Sequence, residues 1–206
     1  MTAENIPDIV VSRLPSYLQT LNQMAKEGYH TVSSKMLADR VGVTAAQIRK
    51  DLSHFGGFGK QGTGYPIYHL IEELHKILNM DRIWQVAVVG AGDLGRALAN
   101  YQGFALRGIE IILLFDIDPK VVGTRVGALP VMHVAQMESE IKKHDVKIAI
   151  LTVPGDTAQT TAERLVNAGV QAILNYAPAT LLLPESVHIQ YIDPVLQIQR
   201  LMYYLG

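Results

Sequence analysis

Three glycines and one aspartate are spaced to hold a phosphorylated nucleotide. Gly90, Ala91, Gly92, Asp93, Leu94 and Gly95 read G-x-G-x-x-G, and Asp116 follows 21 positions after Gly95. Gly90 permits a tight turn, Gly92 has no Cβ to block a pyrophosphate, and Gly95 lets a following helix pack close to the preceding strand. The start of that helix turns backbone N–H groups and the positive end of its dipole toward the phosphates. An acid at 116 accepts hydrogen bonds from the adenosine ribose and repels a 2′-phosphate, which favours NAD over NADP. Asp118 is the alternative if the second strand ends two residues later, since it faces the same side. Asp93 counts slightly against the reading, because it brings negative charge close to the phosphates.

A glycine motif carries this meaning only between a strand and a helix. Here the run 86–89 precedes it, Arg96, Ala97, Leu98 and Ala99 continue it as a helix, and the run 111–115 leads into Asp116. Residues 84–118 therefore read as a Rossmann βαβ unit. Further β-rich runs at 148–153, 172–174 and 187–192 alternate with helical segments, which predicts a mostly parallel sheet with helices packed on it.

The first eighty residues follow another pattern. Leu14, Tyr17, Leu18, Leu21 and Met24 recur at helical spacing and strand-like runs are nearly absent, so this half is mostly helical. Ser33 or Ser34 can cap a helix carrying Met36, Leu37, Ala38 and Val41 that stops at Gly42. Thr44 starts the next helix, with Gln47 completing a capping box. Two helices joined by a tight glycine-containing turn form a helix-turn-helix. In the second, Ile48, Leu52 and Phe55 share an inward face, leaving Gln47, Arg49, Lys50, Ser53 and His54 outside to contact bases and phosphates. The stretch 56–65, with Lys60 and Gly62 at its tip and Tyr65 at its end, fits a short β-hairpin with a basic tip, the wing of a winged helix. Residues 31–60 hold five basic and two acidic side chains, although the whole chain has a net charge of −1. Nothing global points to nucleic acid, and any such contact is a local patch.

Composition sets the remaining bounds. A chain of 206 residues, 49% apolar, suits one large domain or two small ones. The absence of cysteine excludes disulfides, thiolate metal sites and thiol nucleophiles. The start lacks the basic and apolar runs of a signal peptide, and no apolar stretch reaches the roughly 18 residues of a membrane span, so a soluble, cytoplasmic protein is expected. The segment 193–206 reads as a helix capped by Asp193 and begun by Pro194, apolar on more than one face. It either closes its own domain or packs into a partner subunit.

Taken together the motifs resemble the redox-sensing transcriptional repressor family Rex. The stretch from Ser33 to Tyr65 resembles its winged helix, through Gln47-Ile48-Arg49-Lys50-Asp51-Leu52-Ser53 and Phe55-Gly56. Leu94-Gly95-Arg96-Ala97-Leu98, Asn100-Tyr101-Gln102-Gly103-Phe104 and Phe115-Asp116-Ile117-Asp118-Pro119 resemble its Rossmann domain, as do Leu151-Thr152-Val153-Pro154 and Ile173-Leu174-Asn175-Tyr176-Ala177-Pro178. The resemblance implies an α/β chain: a winged-helix domain at 1–80, a Rossmann NAD(H)-binding domain at 81–192 and a C-terminal helix at 193–206 exchanged between subunits. It implies a homodimer that binds operator DNA when NADH is scarce and leaves it when NADH binds. Ser34, Thr44, Gln47, Arg49, Lys50, Lys60, Gly62 and Tyr65 then face DNA. Tyr101, Val153 and Pro154 join the glycine turn and Asp116 around NADH or NAD⁺, with Tyr101 on the nicotinamide side. Arg13, Gln19 and Asp193 fall at the switch between subunits. Gln19 stands where some relatives carry an arginine that pairs with the aspartate, Pro194 replaces an apolar residue, and Tyr176 replaces a phenylalanine. The first two departures predict a switch wired differently.

The two oxidation states differ at the nicotinamide, which is cationic only when oxidised, so an apolar pocket lined by Tyr101 and Phe104 would favour the neutral ring. Two other classes share the glycine turn. A dehydrogenase needs a substrate domain and a positioned acid or base, for which 84–192 leaves no room, and the histidines are scattered without metal-ligand spacing. A CoA-binding module keeps the turn but need not select a free ribose 2′-hydroxyl.

Overall fold

The helical spacing of the N-terminal half becomes a small helical core. In the computed structural model, which describes residues 6–56, 58 and 64–205, the chain divides into two units, 1–82 and 83–206. The first begins with α1 (Asp8–Val11) and α2 (Leu14–Lys26), whose Leu14, Tyr17, Leu18, Leu21 and Met24 are all buried. After β1 (Thr31–Val32) come α3 (Ser34–Val41) and α4 (Ala45–Ser53), then β2 (Tyr65–Pro66) and α5 (Ile67–Ile77). Leu37, Ile48, Leu52, Leu70 and Leu74 close the core against α2, and Phe55 packs at its edge. The Ser33 hydroxyl caps α3 by accepting the Met36 N–H, and α3 stops at Gly42, whose φ of 83° is left-handed. Of the residues this helix carries, Leu37 and Ala38 take the inward positions and Met36 is exposed.

Of the hairpin expected within 56–65, residues 57 and 59–63 lie outside the described residues. Tyr65 and Pro66 form an antiparallel ladder with Val32 and Thr31, ahead of α3. Val32 is buried in the core, and a Cβ at Gly64 would lie 2.7 Å from the Val32 carbonyl oxygen, so glycine there lets the strands meet. Lys60 and Gly62 lie outside the described residues.

The second unit runs β3 (Trp84–Val89), α6 (Asp93–Ala99), α7 (Gln102–Ala105), β4 (Ile109–Asp116), β5 (Arg125–Val126), β6 (Leu129–His133), α8 (Met137–His144), β7 (Ile148–Leu151), α9 (Gly155–Asn167), β8 (Ala172–Asn175), β9 (His188–Tyr191) and α10 (Pro194–Met202). Its sheet order is β5-β6-β4-β3-β7-β8-β9, parallel throughout except between β5 and β6. Successive side chains of a strand point to opposite faces. Ala87 and Val89 accordingly enter one core with Leu113, Phe115 and Leu151, while Val86 and Val88 enter another with Leu114 and Ile150. Burial on both faces is what the continuous apolar runs encode. Strands β5 and β6 escape the sequence reading because one is two residues long and the other contains Pro130, which demotes a run to an edge. No helix among the described residues is long and apolar enough to cross a membrane.

The C-terminal helix does not close its own domain. None of α10 is buried, and Val195, Leu196, Ile198, Leu201 and Met202 are each more than half exposed within the chain. The Asp193 carboxylate caps it by accepting the Val195 N–H at 2.8 Å, and Pro194 fills a first-turn position that needs no donor.

Candidate dinucleotide and DNA sites

In an open α/β sheet, ligands sit beyond the carboxyl ends of the strands where the strand order reverses. The chain passes from β3 to β4 and β6 on one side, then crosses to β7 on the other, so the reversal lies between β3 and β7. The glycine turn emerges there. Gly90 has a φ of 100°, and a Cβ on it would come within 2.6 Å of the Thr152 carbonyl oxygen. A Cβ on Gly95 would overlap the Gly90 carbonyl oxygen and lie 2.9 Å from the Thr152 hydroxyl. A Cβ on Gly92 would meet no protein atom within 4 Å. Two of the glycines thus answer to the protein's own crowding, and the third faces open space beside the α6 N-terminus.

Asp116, with Arg96 and Thr152, which the sequence did not single out, holds this turn in shape. Asp116 Oδ2 accepts the Ala91 N–H at 2.5 Å, and Arg96 Nε donates to the Ala91 carbonyl at 2.9 Å, so one peptide is gripped from both ends. The Thr152 hydroxyl donates toward the carbonyls of Val89 at 3.0 Å and Gly90 at 2.8 Å, tying the end of β7 to the turn. Asp116 Oδ1 accepts the Asp118 N–H at 2.8 Å. An ionised carboxylate has about four lone-pair sites, so Asp116 retains capacity for a ribose diol. Asp118 is exposed and accepts the Lys120 N–H at 2.8 Å, turned into the next loop. Asp93 and Leu94 are exposed in the first turn of α6 and Ala91 is buried beneath them.

Val153 and Pro154 continue from Thr152 at the same end of the sheet. Asn175, buried at the end of β8, shapes the neighbouring loop by accepting the Ala177 N–H at 2.9 Å and donating to the Ala179 carbonyl at 2.9 Å. Tyr101 is not brought to that loop. It lies past the far end of α6, about 10 Å of helix from Gly92, 56% exposed, edge-on to Phe104 with 5.3 Å between ring centroids. Its ring covers Gly103 and lines a cavity of about 610 Å³ with Arg96, Asn100, Gln102, Arg125 and Val126.

In the N-terminal unit, Arg49, Lys50 and Ser53 are exposed along one face of α4, beside Ala46. Thr44, also exposed, accepts the Gln47 N–H at 3.1 Å through its hydroxyl. Ser34 and Tyr65 come together, their hydroxyls 3.4 Å apart. One expectation is corrected. The Gln47 side chain neither returns to the Thr44 N–H nor hangs free. Its Nε2 donates to Asp51 Oδ1 at 2.6 Å, because a buried carboxylate one turn on is the stronger acceptor. Arg13 is held within its own unit: Nε and Nη2 donate to the two oxygens of Asp51 at 2.7 and 2.8 Å. The Tyr17 hydroxyl adds a third donor at 2.6 Å. Burial pushes the Asp51 carboxyl up, but the bonds from Arg13, Tyr17 and Gln47 outweigh it and hold it below its ordinary 3.8. Burial, reinforced by Asp51, pushes the Tyr17 phenol up to about 12. A lone polar residue inside an amphipathic helix was the only sequence signal of this cluster. Gln19 is exposed on α2.

The two units match different family models. Residues 81–179 match one described as CoA binding domain, and residues 5–53 match one described as putative DNA-binding protein N-terminus. A protein of Chloroflexus aurantiacus named redox-sensing transcriptional repressor Rex is 49% identical over 200 residues, covering 97% of this chain and 94% of its own. One of the same name from Streptomyces griseus is 40% identical over 202 residues, covering 98% and 80%. Among solved structures, the Rex-family repressor RSP in complex with β-NAD⁺ and operator DNA superposes with a TM-score of 0.93 at 39% identity, covering 98% of this chain and 93% of that one. Its complex with β-NADH gives 0.89 at 36% identity, covering 98% and 95%. With a glycine turn at the sheet's switch point, a helix-turn-helix ahead of it and this likeness along nearly its whole length, the chain belongs to the Rex family of redox-sensing transcriptional repressors.

Proposed function

We propose that this protein binds operator DNA as a homodimer and reads the NADH/NAD⁺ ratio through the Gly90–Asp116 crevice, NADH releasing it from DNA. The observation that carries the reading is the pairing, in one short chain, of an open phosphate-facing Gly92 with a helix-turn-helix whose Arg49 and Lys50 are bare. The likeness to a repressor crystallised with both ligands supports it. The dinucleotide is then a signal and hydride transfer is not part of the function, since the second unit is spent on the cofactor fold. Action on DNA places the protein in the cytoplasm. The exposed apolar faces of α10 support its exchange with a second copy of the chain. Because Gln19 is neutral, it can offer Asp193 a hydrogen bond but no ion pair, and here Asp193 already caps α10.

A ligand moves such an equilibrium only through its differential affinity for two dimer arrangements. Two recognition helices must match successive major grooves, so a rotation imposed by closure around NADH suffices to lose the operator. A gel shift on the protein's own upstream DNA tests this: NADH is expected to release the duplex, NAD⁺ to leave it bound, and NADPH to act more weakly because of Asp116. NADPH acting at lower concentration than NADH would overturn the role of Asp116. Release by CoA and not by NADH would move the site to the class its family model names.

Lys50→Ala is expected to weaken binding. If Lys50 contacts a phosphate, the loss is uniform over sequences and the log–log salt slope falls by about 1; if it reads a base, one operator position relaxes. A titration at several salt concentrations separates the two.

A further inference from the structure

Gln47 lies on the rim of α4, half-buried between the exposed face of Ala46, Arg49, Lys50 and Ser53 and the buried face of Ile48 and Leu52. It is three residues after the Thr44 cap, in the part of a recognition helix whose side chains reach base edges. A free glutamine there would rotate among several orientations and present donor and acceptor interchangeably. This one cannot. Asp51 is a carboxylate that only accepts, and it takes one Gln47 N–H at 2.6 Å. Asp51 in turn is held by the two-pronged Arg13 contact at 2.7 and 2.8 Å and by Tyr17 at 2.6 Å, with no exposed surface.

The amide that remains has one carbonyl oxygen and one N–H. We propose that Gln47 is a specificity-determining residue that reads an adenine in the major groove, and that Asp51, with Arg13 and Tyr17, is the positioning group fixing which edge of its amide faces the DNA. A carbonyl beside an N–H is complementary to adenine, which offers an N6 donor next to an N7 acceptor. Guanine presents two acceptors there, and would leave the Gln47 carbonyl facing an oxygen. In water the amide could flip to suit guanine in part; bonded to Asp51 it is held away from that flip. The ion pair therefore converts a tolerant side chain into a selective one. This inference rests on the DNA-binding reading above and adds to it a residue, a base and a device.

Duplexes selected from a randomised pool by the full-length wild-type protein supply the site, which is then scanned by single base-pair changes. Wild-type protein that selects no sequence overturns the DNA-binding reading itself. With a selected site, one A·T pair per half-site is expected to cost the wild type roughly 5- to 150-fold when changed to G·C, and to cost Gln47→Ala nothing, its other positions keeping their profile. Asp51→Asn, whose amide can also donate to the Gln47 carbonyl and so permits the flip, is expected to relax discrimination at that same pair. Should Asp51→Asn fail to fold, Tyr17→Phe keeps the carboxylate and loosens its hold, and a smaller relaxation confined to the same pair is expected. A flat change over all positions for Gln47→Ala, or relaxation at a different pair for the Asp51 or Tyr17 variant, would overturn the proposal.

Discussion

Asp51→Ala is expected to destabilise the N-terminal unit by about 3–5 kcal/mol, because removing one partner of a buried ion pair strands the other. Arg13 would lose a two-pronged acceptor, and Tyr17 and Gln47 would each lose theirs. In a unit of this size the thermal midpoint should fall on the order of 20 °C. Tyr17→Phe removes a single neutral donor and should cost about 1 kcal/mol. The pH dependence has a definite sign. The Asp51 carboxyl is depressed when folded, so its contribution is present above its ordinary value of 3.8 and is lost as the pH falls through its lower folded value. The Tyr17 phenol is raised from 10.0 to about 12, so its contribution holds below pH 10.0 and is lost as the pH rises through about 12. Thermal melts of the wild type and Asp51→Ala should converge at the acid extreme, where Asp51 is protonated, and at the alkaline one the gap should only narrow, because the Arg13–Asp51 pair persists there. A loss below 1 kcal/mol at neutral pH would mean that the cluster is no more than a surface-like pair.

The second large effect separates two glycines of the turn, three residues apart, by what each one's missing Cβ makes room for. Gly95→Ala would drive a Cβ into the Gly90 carbonyl and toward Thr152, which can be relieved only by moving α6 off the strand. Overpacking of this kind costs up to about 3 kcal/mol, and because the phosphate-facing N–H groups move with the helix, NADH affinity should fall roughly 100-fold. Gly92→Ala is different: its φ is −69° and its Cβ meets nothing in the protein, so the melting temperature should hold. Only the ligand's approach is blocked, and NADH binding should fall alone. Fluorescence titration with NADH, run beside thermal melts, reads both quantities. Equal stability losses in the two variants, or undiminished binding by Gly92→Ala, would place the phosphates elsewhere.

Much of this was legible beforehand because it depends on short-range pattern. The glycine turn, the parallel core strands and the caps at Ser33 and Thr44 are local conditions, written in neighbouring residues. Features that were not legible depend on burial or on partners far along the chain. Gln47 was read as completing a cap, and the carboxylate of Asp51 took it instead. The pairing of Tyr65 with Val32 joins residues far apart in the chain, which no local pattern announces. Strand β5 is too short, and β6 too proline-marked, to register as a period.

The sequence by itself determined the two-part organisation, the strand-turn-helix that faces a phosphate and the basic face of α4, since each follows from periodicity, capping and backbone freedom along a few residues. Only the tertiary structure decided which groups grip them. That Ala91 is clamped between Asp116 and Arg96, that Thr152 closes the turn from β7, and that Arg13 and Tyr17 converge on Asp51 depends on contacts across 5 to 63 positions of chain. Such contacts exist only once the apolar core has brought those elements together, and their strength comes from the burial that the same core provides.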